Sequence, residues 1–575
     1  MRLVELKFWA IFLFFNFLLF LPKYILEFND TSFFPFHNLF CGTLKDDIGN
    51  FYARYNADIF RVSVDLSLLL LIFYFFRKKI NTAIYSWIVG IYYVIILLFM
   101  VYYVSMTKIY CIEPILYNDS YLLKLGFYDF GGNLLKGIII FIMSAIIIYL
   151  IVRAFKYLLH LLQIVKFSIY TKVIFIITSI LFAYVTIRSG TTIKPECEFN
   201  ETLGLMIDNI HRSNDAYRIH TKLLNTNFNK VLNYEQYQWK KKPNVYIFFF
   251  ESYGNILNTD TSLQKPYIKC LKSCEAQLYQ NNWHIASALS TSPVSGGGSW
   301  ISYSSFMLGF NVENQGIFLY LLKNPEITNY DQFFRLFRKK GYTNYRLNSI
   351  PENEDIKVPW GNLTDFYAVD KWILYKDFHF KGKGYGFGPC PPDQFTLGFA
   401  GDYLQNNAKG PYTLFFIDQN SHHPFYSPDS IVSDWRGPNM TEAKNKQKSV
   451  FFTKPNIKDY LRSITYDLRT FTYFITNFGK EGDIFMIIGD HQPPMLTKKE
   501  DGFETPVHII SKDSSFVNSF QRYGFAQGMV IKNITSFKLK HQGMYSMFMR
   551  EFLRQYGADS TNLPEYTPDG IFETN

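Results

Sequence analysis

Charge is sparse in this chain. Asp, Glu, Lys and Arg make up 18% of its 575 residues, and 58 basic against 48 acidic side chains leave a formal charge of +10. That surplus is mild for the length, and part of it flanks apolar segments, as in membrane proteins. There is no nucleic-acid-binding motif, so nucleic acid is not expected as a partner. Internal repeats and low-complexity tracts are missing, which excludes a repeat architecture. No small-x-small cleavage site follows the first apolar run, and that run is longer than an ordinary signal-peptide core, so it reads as a retained membrane span. Cysteine is scarce, at six residues.

Aromatics, by contrast, reach 19%, and they are unevenly placed, because the first third is nearly continuous apolar sequence. Five segments, 7–26, 61–77, 84–105, 134–155 and 172–189, have the length and character to cross a hydrocarbon core of about 30 Å. The second is the shortest, and it carries Asp65, which is costly in lipid unless it faces protein or the interface. Arg77-Lys78-Lys79, then Arg153, Lys156 and Lys166, mark cytoplasmic loops, and Arg2 and Lys7 place the N-terminus inside. Five crossings put everything after about residue 190 outside. Cys41, Cys111, Cys197, Cys270, Cys274 and Cys390 all fall in the outside segments, where disulfides persist, and Cys270 and Cys274 are near enough in sequence to pair locally.

Residues 190–243 are polar and read as a linker with helical stretches such as Leu203 to Ile210. From 244 onward the pattern alternates. The β-rich runs Val245–Phe250, Tyr412–Ile417, Ile484–Ile488 and Val507–Ile510 are separated by the helical runs Ser299–Leu308, Tyr330–Lys340 and Tyr460–Asn477. Continuous apolar strands between helices predict an α/β domain over 244–575, with a mainly parallel central sheet and its site at the carboxyl ends of the strands.

Two of these strands end on chemistry. Val245–Phe250 runs into Glu251, and Ile484–Ile488 runs through Gly489 into Asp490-His491. Between them Gly296-Gly297-Gly298 allows a tight turn that delivers Ser299 to the start of a helix, where free N–H groups favour an anionic oxygen or a bound phosphate. Each residue alone has a plainer reading: Ser299 as an N-cap, Glu251 as a strand-end salt bridge. Taken together, two carboxylates, a hydroxyl and an imidazole suit one divalent cation, Mn²⁺ or Zn²⁺. Such a cation would activate the serine as nucleophile. His422 and His423, after Tyr412–Ile417, are placed to balance oxyanion charge or to protonate a leaving alkoxide. His508 reads as either a supporting or a core residue.

Phe250-Glu251-Ser252-Tyr253-Gly254, Gly296–Trp300, Ser421-His422-His423-Pro424-Phe425 and Gly489–Pro494 together resemble the sulfatase-like branch of the alkaline phosphatase superfamily. With five spans ahead of an outside domain, the layout is similar to lipoteichoic acid synthases and lipid A phosphoethanolamine transferases. The resemblance implies Glu251, Ser299, Asp490 and His491 as metal ligands, Ser299 as nucleophile in place of the family's Thr, and His422 or His423 as substrate-binding. A second substrate histidine of lipoteichoic acid synthases would fall near Asn348, and Arg346 and Trp360 are the candidates to replace it. True sulfatases carry a Cys/Ser-x-Pro-x-Arg core. Ser290-Thr291-Ser292-Pro293-Val294-Ser295 has neither the cysteine nor the arginine, which argues against formylglycine chemistry.

The expectation is therefore a multi-pass protein of a bacterial inner membrane, N-terminus cytoplasmic and catalytic domain outside. Its reaction would move phosphoglycerol or phosphoethanolamine from a phospholipid donor, through Ser299, to an envelope glycan or lipid acceptor. The alternatives are a sulfuric-ester or phosphodiester hydrolase with the same residues, and a non-enzymatic envelope binding protein.

Overall fold

In the computed structural model the described residues are 2–26, 63–109, 114–120, 134–165 with isolated positions to 177, 202–224, 233–351 without 326, 360–440 without 389, 455–497, 501–531 and 538–571. The chain divides into two compact units, Met1–Tyr217 and Arg218–Asn575.

The first unit is helical. Among the described residues, three helices are long and apolar enough to cross a membrane: Leu3–Ile25, Thr82–Thr107 and Phe141–Ile164. The helix Val64–Phe76 has 13 residues. At 1.5 Å per residue it spans about 20 Å, short of a full hydrocarbon core. The expected span over 172–189 lies outside the described residues, apart from isolated positions, so three of the five expected spans stand as full-length helices. Aromatic side chains knit the helices together. Phe15 stacks on Phe155 with ring centroids 4.4 Å apart, and Tyr93 donates to the Phe15 carbonyl at 2.8 Å. Asp65 turns inward, buried, and accepts the Thr202 and Leu203 N–H groups at 2.8 and 3.3 Å. It thereby caps the helix Thr202–Leu224, which occupies part of the expected linker.

The second unit is built on one nine-stranded sheet, in the order β4-β3-β5-β1-β6-β7-β2-β8, with β9 beside β2. The strands are β1 (Val245–Phe250), β2 (His284–Thr291), β3 (Thr343–Asn348), β4 (Lys371–Leu374), β5 (Tyr412–Ile417), β6 (Ile484–Gly489), β7 (Glu504–Ser511), β8 (Ala526–Gln527) and β9 (Leu539–Lys540). From β4 to β6 the strands are parallel. β7 then runs antiparallel to β6 and β2, and β8 antiparallel to β2. The sheet is therefore mixed, whereas a mainly parallel one was expected. Val507–Ile510 is an apolar run buried on both faces, and such a run carries no mark of its direction.

Continuous apolar strands arise because both faces are covered. Val245, Ile247 and Phe249 of β1 enter one core with the helices Ser299–Leu308 and His541–Tyr556. Tyr246, Phe248 and Phe250 enter the other, with Thr261–Gln280 and Ile457–Phe478. Phe248 stacks on Phe471 at 5.4 Å, and Tyr246 on Phe485 at 4.3 Å. Cys270 and Cys274 lie buried one turn apart in the helix Thr261–Gln280 and are free thiols, as is Cys390. The local pairing that the spacing allowed is not made. Cys41, Cys111 and Cys197 lie outside the described residues.

The central strands are held in tight register at their functional ends. Phe250 pairs with Gly489, and a Cβ on Gly489 would stand 2.2 Å from the Tyr253 carbonyl oxygen and 2.9 Å from Thr505 Cβ. Backbone cannot yield as a flexible side chain can. Gly489→Ala is therefore expected to destabilise the protein by at least about 1–3 kcal/mol, the usual cost of overpacking. Denaturant unfolding of the full chain in detergent measures this, and an unchanged midpoint would show that the close approach is not a constraint.

Candidate active site

The parallel neighbours β5, β1 and β6 end side by side, so the residues that follow them leave one edge together. Glu251 follows β1 and Asp490-His491 follows β6. The third contribution comes from the antiparallel part. After β2 the chain passes Gly297 and Gly298, at φ +74° and +76°, and enters the helix Ser299–Leu308. Those left-handed values favour glycine. Ser299 is thus the first residue of the helix, with Gly298 in the cap position.

The four side chains meet. Ser299 Oγ donates to Glu251 Oε2 at 2.9 Å and lies 3.3 Å from His491 Nε2. His491 Nε2 is 3.5 Å from Glu251 Oε1 and 3.3 Å from Asp490 Oδ2. Glu251, Asp490 and His491 are all buried. Their orientation is fixed from behind. Asp490 Oδ1 accepts the N–H groups of Ser252 at 2.8 Å and His491 at 2.6 Å. Ser252 reaches this position with φ +58°. Ser252 Oγ donates to Glu251 Oε1 at 3.0 Å. His491 Nδ1 lies 2.8 Å from the Gln492 carbonyl, an acceptor that makes Nδ1 the protonated nitrogen and leaves the Nε2 lone pair facing the carboxylates.

This donor set fits a divalent cation. The Asp490 Oδ2 atom is fully buried and has no hydrogen-bond partner. A buried orphan carboxylate oxygen is costly unless a cation or proton meets it. Glu251, Asp490 and His491 each offer a ligand atom within 4.8 Å of the others, and Ser299 Oγ is in contact with two of the three. Two carboxylates and an imidazole suit Zn²⁺ or Mn²⁺. The electrostatics point the same way. Burial and the neighbouring Glu251 push Asp490 well above the ordinary carboxylate range. For Glu251 burial acts upward, but His422 and His491 outweigh it and the carboxyl sits below its ordinary value. Burial holds His491 below the usual imidazole value, and therefore neutral, the form that ligates metal.

The other expected residues separate into groups. His422 is half-buried. It lies close enough to act electrostatically on both Glu251 and His491, and its Nδ1 is 2.7 Å from the His423 carbonyl. The His423 ring packs edge-on against Phe425 at 5.7 Å. His508 is fully buried in β7 between Tyr253 OH at 3.0 Å and Ser287 Oγ at 2.6 Å, and burial lowers it to about 3. It is a neutral support behind the Glu251 turn. Arg346 is buried in a cage of Tyr303, Tyr367, Trp372 and Phe415, its guanidinium carbon 4.1 Å from the Tyr367 ring centre. The helix Trp360–Phe366 begins at Trp360, whose side chain lies outside what is described.

Sequence reasoning missed two features. His541 is buried between the ends of β2 and β6, with Nε2 3.0 Å from the Gly489 carbonyl and Nδ1 3.0 Å from both Ser290 Oγ and the Thr291 carbonyl. Burial holds it near 4, neutral. Asp418 follows β5 and accepts the Glu251 N–H at 2.6 Å. An acid after an apolar strand was the signal used for Glu251, and the same signal marks Asp418.

No family model matches the chain, and no curated protein matches it. Among solved structures it is similar to members of the alkaline phosphatase superfamily and to envelope transferases. One is a protein of that superfamily from Vibrio parahaemolyticus, with 14% identity over 58% of this chain and 70% of that one, at a TM-score of 0.35. Another is the lipoteichoic acid synthase LtaP from Listeria monocytogenes, with 13% identity over 58% and 79%, at 0.36. A third is the C-terminal periplasmic domain of EcEptC from Escherichia coli, with 9% identity over 60% and 91%, at 0.36. What the site can do follows from its own residues.

Removing one ligand should cripple metal binding. Glu251→Gln and Asp490→Asn are each expected to lower Zn²⁺ or Mn²⁺ affinity by at least about 100-fold, the upper range for losing even a supporting residue. Affinity should also fall with falling pH, because the proton held by Asp490 competes with the metal. Calorimetric titration of the full chain at several pH values checks both, and unchanged affinity in both variants would remove the metal from this site.

Proposed function

We propose that the chain is a membrane-bound, metal-dependent transferase. In this reading 1–189 anchors it through five spans, 190–243 links, and 244–575 works outside a bacterial inner membrane. It moves phosphoglycerol or phosphoethanolamine from a phospholipid to a hydroxyl on an envelope glycan or lipid. The observation that carries this reading is Ser299 Oγ within 2.9 Å of Glu251 and 3.3 Å of His491 at the head of a helix. A hydroxyl placed among metal-binding side chains is an activated nucleophile rather than a simple cap.

The bound cation would act as Lewis acid and lower the pKa of the serine hydroxyl. The chain's own residues do the rest. Glu251 accepts the Ser299 hydrogen bond and holds Oγ pointed at the incoming phosphorus. Ser299 enters the reaction as its alkoxide, its proton released to solvent beforehand; the Oγ–P bond forms as the bond to the diacylglycerol oxygen breaks, and that oxygen leaves with a proton. His422, with Nδ1 turned to the His423 carbonyl, is the proton donor in this step. In the second half the acceptor oxygen bonds to phosphorus, the Oγ–P bond breaks, and the acceptor's proton returns to His422. The first N–H groups of the helix face the phosphoryl oxygens and stabilise their charge. Trp360 and His423 are assigned to the substrate's remaining contacts, while Arg346 stays packed among its four rings rather than meeting the substrate.

Purified full-length protein with phosphatidylglycerol or phosphatidylethanolamine bilayers tests this. Diacylglycerol release is expected from one of them, and Ser299→Ala should lower it at least about 1,000-fold with the fold retained. Ser299→Thr keeps the hydroxyl and should retain measurable release. Release into water without transfer, at full rate with every hydroxyl acceptor supplied, would make the protein a hydrolase. Full activity in Ser299→Ala would refute the covalent route.

A further inference from the structure

Behind Glu251 lies a second group of buried acids that the proposed reaction does not use. Asp418 follows β5, Asp393 is the first residue of the helix Asp393–Asn407, and Asp467 lies within Ile457–Phe478. All three are fully buried. Each offers a carboxylate oxygen within 4.8 Å of the others. No Lys, Arg or His side chain forms an ion pair with any of them among the described residues.

Two of the three already hold backbone in place. Asp393 accepts the N–H groups of Gln419 at 3.0 Å and Asn420 at 2.7 Å. Asp418 accepts the Glu251 N–H at 2.6 Å through Oδ1 and the Ser421 hydroxyl at 3.0 Å through Oδ2. Burial outweighs these donors and pushes the carboxyls up, Asp393 to about 7 and Asp418 well above its ordinary range, so each needs a proton or a cation. The third differs. Both oxygens of Asp467 are buried and neither has a hydrogen-bond partner. Thr396, one helical turn beyond Asp393 and so on the same helix face, also buries an Oγ1 with no partner. Protons shared among the three acids are one way to satisfy these oxygens. A cation meets both and offsets the negative charge of all three.

We propose that Asp393, Asp418 and Asp467 form a second cation site, distinct from the one at Ser299. Its side-chain ligands are all oxygen, which selects a hard divalent cation of the Ca²⁺ or Mg²⁺ class rather than Zn²⁺. The site ties four segments together: the β5 exit loop that leads to His422, the turn at Glu251, and the two helices that supply Asp393 and Asp467. Its role is positional, and it holds whatever reaction Ser299 performs.

Metal counting on the full-length protein in detergent is the test. The protein is loaded with Zn²⁺, dialysed against trace Ca²⁺ or, separately, trace Mg²⁺, and its metals are measured by mass spectrometry. The wild type should hold one equivalent of Ca²⁺ or Mg²⁺ beside its Zn²⁺. Asp490→Asn should lose Zn²⁺ and keep that equivalent, while Asp467→Asn should keep Zn²⁺ and lose it. The proposal is overturned if the wild type and Asp490→Asn hold neither Ca²⁺ nor Mg²⁺, or if a folded Asp467→Asn retains the full equivalent. The first result would mean that protons neutralise the cluster. Because the wild type and Asp490→Asn decide the count, a misfolded Asp467→Asn leaves the test intact. A wild type without Zn²⁺ that still holds the Ca²⁺ or Mg²⁺ equivalent would count against the Ser299 metal alone.

Discussion

Two carboxylates buried side by side cannot both stay charged without a positive partner. Glu251 and Asp490 are in that position, at the ends of adjacent strands whose last paired residues are Phe250 and Gly489. Coulomb repulsion at such separations, in a medium far less polarisable than water, is worth several kcal/mol. The fold nevertheless directs N–H groups of Ser252 and His491 at Asp490, and the hydroxyls of Ser252 and Ser299 at Glu251. It builds a place for anions and leaves one carboxylate oxygen open. In the proposed reading a cation would meet that oxygen, and the serine hydroxyl against Glu251 would be its nucleophile.

The surrounding architecture serves to keep those strand ends from moving. Alternate residues of β1 and β6 feed two aromatic-rich cores, one on each face, so neither strand can slide without dislodging both. Buried neutral imidazoles brace the ends. His541 donates Nε2–H to the Gly489 carbonyl and accepts the Ser290 hydroxyl at Nδ1, and His508 joins Tyr253 to Ser287. Both are held neutral by burial, which suits a hydrogen-bond bridge better than a titrating group. The glycine turn before Ser299 has the complementary role: it lets a helix start pointing straight into the gap that the strands leave.

Sequence reading recovered the parts of this that are local. β1 and β5 were bounded to the residue, the Ser299–Leu308 helix likewise, and the Asp-His pair marked its strand end. What it could not recover is long-range or disguised. β2 mixes Ser and Thr among its apolar residues, and β3 alternates over only six residues around Tyr345 and Leu347, so neither shows a continuous apolar run. The direction of β7 is set by its partners rather than by its composition. Asp393, Asp418 and Asp467 are brought together from three elements across 75 positions; Asp418 carries the strand-end signal, while Asp393 and Asp467 each look like ordinary helix acids. Arg346 on β3 reads as a solvent-facing or ligand-facing cation, yet its guanidinium is packed among four rings. Val64–Phe76 is apolar apart from Asp65 and Ser67, but hydropathy cannot say that its helix stops after 13 residues.

The central claim is that Ser299 is a covalent nucleophile. The most direct measurement is intact-mass analysis and peptide mapping of the full-length protein, metal-loaded and mixed with phosphatidylglycerol and phosphatidylethanolamine without any acceptor. The account predicts a phosphoryl-alcohol adduct on the peptide containing Ser299, its mass identifying the head group, and its disappearance when an acceptor hydroxyl is added. Metal-loaded protein that releases diacylglycerol while Ser299 stays unmodified at every time point would contradict it.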